Sequence, residues 1–184
     1  KIRGAGVPLA EYAKTKPFYG IKTGCNEAFL VDDETRKRLC KEDPRSKEIL
    51  KKYLRGQDIK RWAPSWAGLW MIFARRGIAI DGYPAVKAHL SQFREQLEPK
   101  PRDYAGNDWP GRKPGSYKWY EIQDAVDYFE LFEGPKILYQ EIQFHSAHAL
   151  DESGIYTNNK AYLLPTSDPW LVAVLNSPVM WWHN

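Results

Sequence analysis

Cysteine is scarce: Cys25 and Cys40 are the only two among 184 residues, they stand in unrelated contexts, and no Cys-x-x-Cys pair occurs. That argues against a disulfide framework or a cysteine-based zinc site and fits a reducing cytoplasm. No apolar run approaches the roughly 20 residues needed to cross a bilayer, so no membrane partner is expected. Nothing near Lys1 has the charged, apolar and small-residue order of a signal peptide. A first residue other than Met reads as a piece cut from a longer chain. Catalytic signatures are missing as well. Gly4-Ala5-Gly6 lacks the third glycine and the preceding strand of a glycine-rich cofactor turn. There is no P-loop, Gly-x-Ser-x-Gly elbow or His-Glu-x-x-His pattern. His145 and His148 would share a metal only with Asp151 or Glu152 as a third ligand, and a polar loop is the simpler reading. Asp124 or Asp127 with Glu141-Ile142-Gln143 matches a Mg²⁺ site only loosely, because acidic residues at a helix start and a strand end have ordinary structural roles.

What is present is enough for a core. Apolar residues make up 43% and aromatics 14% of the chain, sufficient for one domain or two tightly joined lobes. The net charge of +4 is modest but uneven. From Arg36 to Arg61 eleven Lys and Arg residues face only Glu42, Asp43, Glu48 and Asp58; from Glu121 to Glu152 the sign reverses, with Lys136 the only cation. Such polarity orients a protein on a polyanion. A charge run is equally often a solvated helix face.

The pattern along the chain predicts an α+β fold: a small mixed β-sheet with packed helices. Two short strands around a turn at Thr23-Gly24 form a hairpin over 19–31. Asp33 caps a helix through Arg36 to Lys41, and a second helix runs from Ser46 to Leu54, ended by Gly56. Residues 69–74 read as a buried strand that places Arg75 and Arg76 at its end. Tyr83, Val86, Leu90, Phe93 and Leu97 recur at helical spacing behind Pro84. Four prolines and three glycines between Pro99 and Lys118 mark a long surface loop. A short helix over 125–132, strands over 136–141 and 162–165, and a closing helix around Leu171 to Leu175 complete the pattern.

Taken in order, Gly20-Ile21-Lys22-Thr23-Gly24-Cys25-Asn26-Glu27-Ala28-Phe29, Leu54-Arg55-Gly56-Gln57-Asp58-Ile59, Tyr83-Pro84-Ala85-Val86, Lys118-Trp119-Tyr120-Glu121-Ile122, Pro135-Lys136-Ile137 and Leu175-Asn176-Ser177 carry a resemblance. The chain resembles the C-terminal specificity domain of adenine-specific DNA methyltransferases and type IIG restriction-modification enzymes of the TaqI and Eco57I kind. The resemblance implies a DNA target-recognition domain over residues 1–184, related in fold to those of type I specificity subunits. It also implies a covalently linked methyltransferase domain upstream that binds S-adenosylmethionine, and in some relatives a Mg²⁺-dependent nuclease. The Asn-Pro-Pro-Tyr motif of that upstream domain does not occur here. The expectation is therefore a fragment with no catalytic residue, cofactor or metal of its own, whose partner is double-stranded DNA. An RNA-binding module and a protein-interaction module are the alternatives.

Relatives of this kind read different sequences, so shared motifs are expected to be scaffold or phosphate contacts: Lys22 and Thr23, with Arg55, Lys60 and Arg61 on the basic segment, and Lys118 beside Trp119. Base readers are expected in the less family-like stretches 63–82, 99–118 and 143–160, where Arg75, Arg76, Arg112, Lys113, Gln143, Asn158, Asn159 and Lys160 carry suitable groups. Arginine bonds guanine bidentately and Asn or Gln does the same to adenine.

Overall fold

The computed structural model describes residues 6–183. Along the chain run α1 (Leu9–Tyr12), β1 (Phe18–Tyr19), α2 (Asn26–Phe29), β2 (Leu30–Val31), α3 (Asp33–Glu42), β3 (Leu50–Leu54), β4 (Trp70–Ile72), α4 (Pro84–Ser91), α5 (Arg94–Leu97), α6 (Glu130–Glu133), β5 (Lys136–Gln140), β6 (His148–Asp151), β7 (Tyr156–Thr157), β8 (Ala161–Leu164), α7 (Pro169–Leu175) and α8 (Pro178–His183). The fold is α+β, in two compact units. One takes the chain up to Gly20, residues 54–65 and the chain from Tyr128 onward; the other takes Ile21–Tyr53 and Trp66–Asp127.

The first unit is a sheet in the order β1-β8-β5-β6, antiparallel along its ladders. Trp62 adds a parallel bridge to Ala149. Ile137 and Leu164 on the sheet pack with Leu171 and Val172 of α7, with Ala13, Leu150 and Leu175 around them. Asp168 caps α7 by accepting from the Trp170 and Leu171 N–H groups, and Pro169 suits its first turn. At the start of β5 a charge is buried: Lys136 is 0% exposed and its Nζ lies 2.5 Å from Asp151 Oδ2. The Lys136 ammonium also donates to the Phe132 and Gly134 carbonyls, and Asp151 accepts from Ser153 and Ile155, so neither charge is unsatisfied.

In the second unit β4 pairs antiparallel with β2 on one side and β3 on the other. Phe29, Leu39, Met71, Ile72, Val86 and Leu90 are buried here. Several expectations change in this unit. The hairpin over 19–31 does not form: Tyr19 pairs with Tyr162 in the first unit, while Leu30 pairs with Met71, and α2 occupies the stretch between. The helix over 46–54 is a 3-10 turn (Pro44–Glu48) followed by β3, because the apolar side of Leu50–Leu54 finds a partner strand in β4. Asp32, one residue before the expected cap, accepts from the Thr35 N–H and starts α3. The helix behind Pro84 forms but breaks into α4 and α5 at Gln92-Phe93. In the first unit the helix over 125–132 shrinks to the turn α6, and β6 stands where a polar loop was expected at His148. Among the described residues no helix is long and apolar enough to cross a membrane.

Candidate nucleic-acid interface

The residues expected to contact DNA fall into two groups, one in each unit. In the second unit they form a knot built around Arg112, which is only 4% exposed. Its guanidinium donates to five backbone carbonyls: Leu97 at 2.8 Å, Thr23 at 3.2 Å, Glu121 at 2.7 Å, Lys118 at 3.1 Å and Trp119 at 2.9 Å. The ring of Tyr117 lies 4.3 Å from the guanidinium carbon. Burial pulls the Arg112 pKa below its ordinary value, but an arginine keeps its charge in any protein. Arg112 is therefore corrected from base reader to the pin that ties the 98–123 segment to the Thr23 turn. Its donors are consumed inside the unit, and a base edge would have to replace five satisfied carbonyls.

Thr23 is buried too; its hydroxyl donates to Asn26 Oδ1 and its carbonyl accepts from Gln123. It belongs to the scaffold and does not reach a phosphate. Gly24 beside it adopts φ +87°, and an added Cβ there would stand 2.9 Å from the Arg112 side chain, a position only glycine fills without strain. Arg76 is half-buried, donating to Ser116 Oγ and to the Gln123 carbonyl. Lys22, Arg75, Lys113 and Lys118 have exposed side chains around this knot. The basic run seen in the sequence is not one phosphate track. Lys37 and Arg38 pair with Asp33 and Glu42 along α3, while Arg36, Arg45 and Lys52 lie over the rings of Trp70, Tyr83 and Trp66.

In the first unit the expected residues gather at one end of the sheet. Arg55 forks onto Asp58, with Nε–Oδ2 at 2.8 Å and Nη2–Oδ1 at 3.1 Å, across the 3-10 turn Gly56–Asp58. Gly56 faces the Lys160 carbonyl and Asn158 Oδ1. Lys60 and Arg61 follow with exposed side chains, and Arg61 Nε donates to the Ser146 carbonyl at 3.2 Å. Trp62 then runs beside β6, donating to the His148 carbonyl and accepting from Leu150 N–H. That pairing holds it at φ +81°, a strained conformation for a bulky residue, with 54% of it exposed. Asn158 accepts from the Lys160 N–H across the β7–β8 turn, Asn159 is half-buried, and the exposed Lys160 ammonium lies 3.2 Å from Glu141. Gln143 uses both ends of its amide locally: Oε1 accepts from Ala147 N–H and Nε2 donates to the Gln140 carbonyl. It shapes its loop, and reading adenine through it would require breaking both bonds. Asn176, buried after α7, clamps His148 by accepting from its N–H and donating to its carbonyl. Burial pulls the His148 pKa down. Among the described residues no group of three His, Cys, Asp or Glu is placed to hold a metal ion.

The model of the TaqI-like C-terminal specificity domain matches residues 51–184. The chain belongs to that family. Several of its motif residues have structural roles: Arg55 and Asp58 brace a turn, Lys136 anchors β5, and Asn176 clamps β6. One relative is the type II methyltransferase M.PaeR7I of Pseudomonas aeruginosa, 29% identical over 187 residues covering 97% of this chain and 29% of the relative. The type IIL restriction-modification enzyme MmeI, solved in complex with DNA, shares the fold at a TM-score of 0.57 and 18% identity, over 88% of this chain and 20% of that one. The specificity domain thus spans less than a third of the relatives it matches. What the sequence reading missed is the apolar tip of the loop 141–147, where Ile142 and Phe144 flank the amide it selected. A large apolar residue among polar loop neighbours was the available signal.

Proposed function

We propose that this specificity domain binds duplex DNA and sets its register for adenine methylation by a methyltransferase domain of a longer protein. The family match over residues 51–184 is the observation that supports it. The catalytic chemistry, with S-adenosylmethionine and any Mg²⁺-dependent cleavage, belongs to that other domain, and the binding energy of this one positions the target base for extrusion. The exposed cations Lys60, Arg61 and Lys160 supply phosphate contacts on the first unit, and Lys22, Arg75, Lys113 and Lys118 supply them on the second.

The test is a duplex-binding titration over a salt series with Lys60→Glu/Arg61→Glu. Phosphate contacts carry no sequence information, so affinity falls about equally for all duplexes, and the log–log salt slope drops by roughly 0.9 for each phosphate left without its cation. A correctly folded double variant with unchanged affinity returns this segment to plain solvated surface. Preference for single-stranded RNA over duplex DNA overturns the reading as a whole.

A further inference from the structure

The loop 141–147 between β5 and β6 combines two properties that rarely coincide. Its backbone is fixed at several points. Glu141 N–H donates to the Lys160 carbonyl, Gln143 bonds Gln140 and Ala147, the Ser146 hydroxyl donates to the Leu175 carbonyl, and Arg61 holds the Ser146 carbonyl. Yet this braced loop displays Phe144 at 97% exposure and Ile142 at 80%. A single exposed hydrophobic needs no explanation. Two large ones within three residues, held out on an ordered loop, form an apolar tip whose hydration is unfavourable until something covers it.

The flanks of the tip say what that is. Arg61 crosses the base of the loop and Lys160 stands beside Glu141, both with exposed side chains, while His145 is exposed next to Phe144. An apolar point beside Arg61 and an exposed Lys160, whose ammonium can exchange the surface carboxylate of Glu141 for a phosphate, suits a ligand with an anionic rim and apolar planar faces within, which describes a nucleic-acid duplex. Phosphates would meet Arg61 and Lys160, and apolar side chains contact thymine methyl groups or enter base steps.

We propose that Phe144, supported by Ile142, is an apolar contact to the bases of duplex DNA. This rests on the DNA-binding reading above. Its signature differs from that of a phosphate contact: an apolar group releases no counterions, so its removal changes affinity without changing the salt slope. The experiment measures Kd of the 184-residue chain and its variants for duplex DNA across a salt series, with circular dichroism as the fold control. Phe144→Ala is expected to weaken binding at least about fivefold at every salt concentration with the slope unchanged, as removal of one base-stacking side chain does. Phe144→Leu should keep part of the affinity, and Lys160→Ala should instead lower the slope by about one. If the parent binds duplex and Phe144→Ala binds equally well, or loses affinity only through the slope, the proposal is wrong while the DNA reading stands. If the parent binds no duplex, both fall.

Discussion

Arg112 shows how one side chain can look like a reader and be a scaffold. Its guanidinium offers five N–H donors, which is why arginine recognises guanine; the same five suit a cluster of backbone carbonyls that converge on one point. Here Leu97, Thr23, Lys118, Trp119 and Glu121 take them all. Arg112→Met keeps the stem and deletes the donors; the Thr23 and Lys118 carbonyls keep backbone donors in Gln123 and Glu121, while those of Leu97, Trp119 and Glu121 lose the guanidinium. The expected outcome is a destabilisation of several kcal/mol, at about 1–3 kcal/mol for each buried carbonyl left without a donor, read in urea unfolding. Base preference measured on still-folded protein at low temperature should match the parent. A shift at a single base pair, with stability intact, would restore Arg112 as a reader. At this scale the sequence showed which residue types were available but not which were buried, because burial depends on pairings such as Thr23 with Arg112 across 89 positions.

Elements were legible where local pattern and tertiary pairing agree. β4, β5, β8, α7 and the helix behind Pro84 each carry an apolar run or period that the fold uses as it stands. β3 was misread because Ile49, Tyr53 and Leu54 satisfy helical spacing equally well, and only pairing with β4 decides the matter. β6 was missed because His148-Ala149-Leu150-Asp151 has little strand propensity; Asn176, Trp62 and the Lys136–Asp151 pair hold it in place. The candidate site was read from sequence as a set of cations and amides, while the apolar tip of the 141–147 loop was not read at all. The same dependence on pairing makes Gly20 critical at the end of β1. A Cβ there would stand 2.0 Å from the Asn158 carbonyl oxygen, and the backbone N–H of Gly20 donates to the Ala161 carbonyl. Gly20→Ala must push the β7–β8 turn away, at an expected cost of about 1–3 kcal/mol for overpacking. Thermal unfolding of the variant checks it, and a midpoint equal to the parent's would show that the turn yields without cost.

At the scale of the whole molecule, each unit holds a histidine whose pKa is lowered by burial, His89 buried in the second and His148 half-buried in the first, and the first unit adds a buried ion pair that responds to acid in a different window. In the second unit His89 is buried against the Ala28 carbonyl, and burial holds its pKa below the ordinary 6.5. In the first unit burial does the same to His148 on β6. The neutral form of each is favoured in the folded state. The unfolded chain therefore takes up protons that the folded one resists, and stability falls as pH drops below about 6.5. Asp151 acts later. Burial pushes its pKa up, but the Lys136 ammonium and the Ser153 and Ile155 donors outweigh it and hold the carboxyl below its ordinary 3.8. The stability contributed by that pair is complete above the ordinary carboxylate range, and it is lost as pH falls through the lowered value. Acidification should thus loosen both units in a first stage and the first unit again in a second. Amide hydrogen exchange followed from pH 7 downward, corrected for the intrinsic rate, is expected to show protection in α4 and β6 declining below about pH 6.5, with a further decline in β5 and β6 below about pH 4. His89→Phe should remove the early decline in α4 while β6 keeps its own. An α4 that loses protection in that variant as steeply as in the parent would mean that groups other than His89 govern the acid response of the second unit.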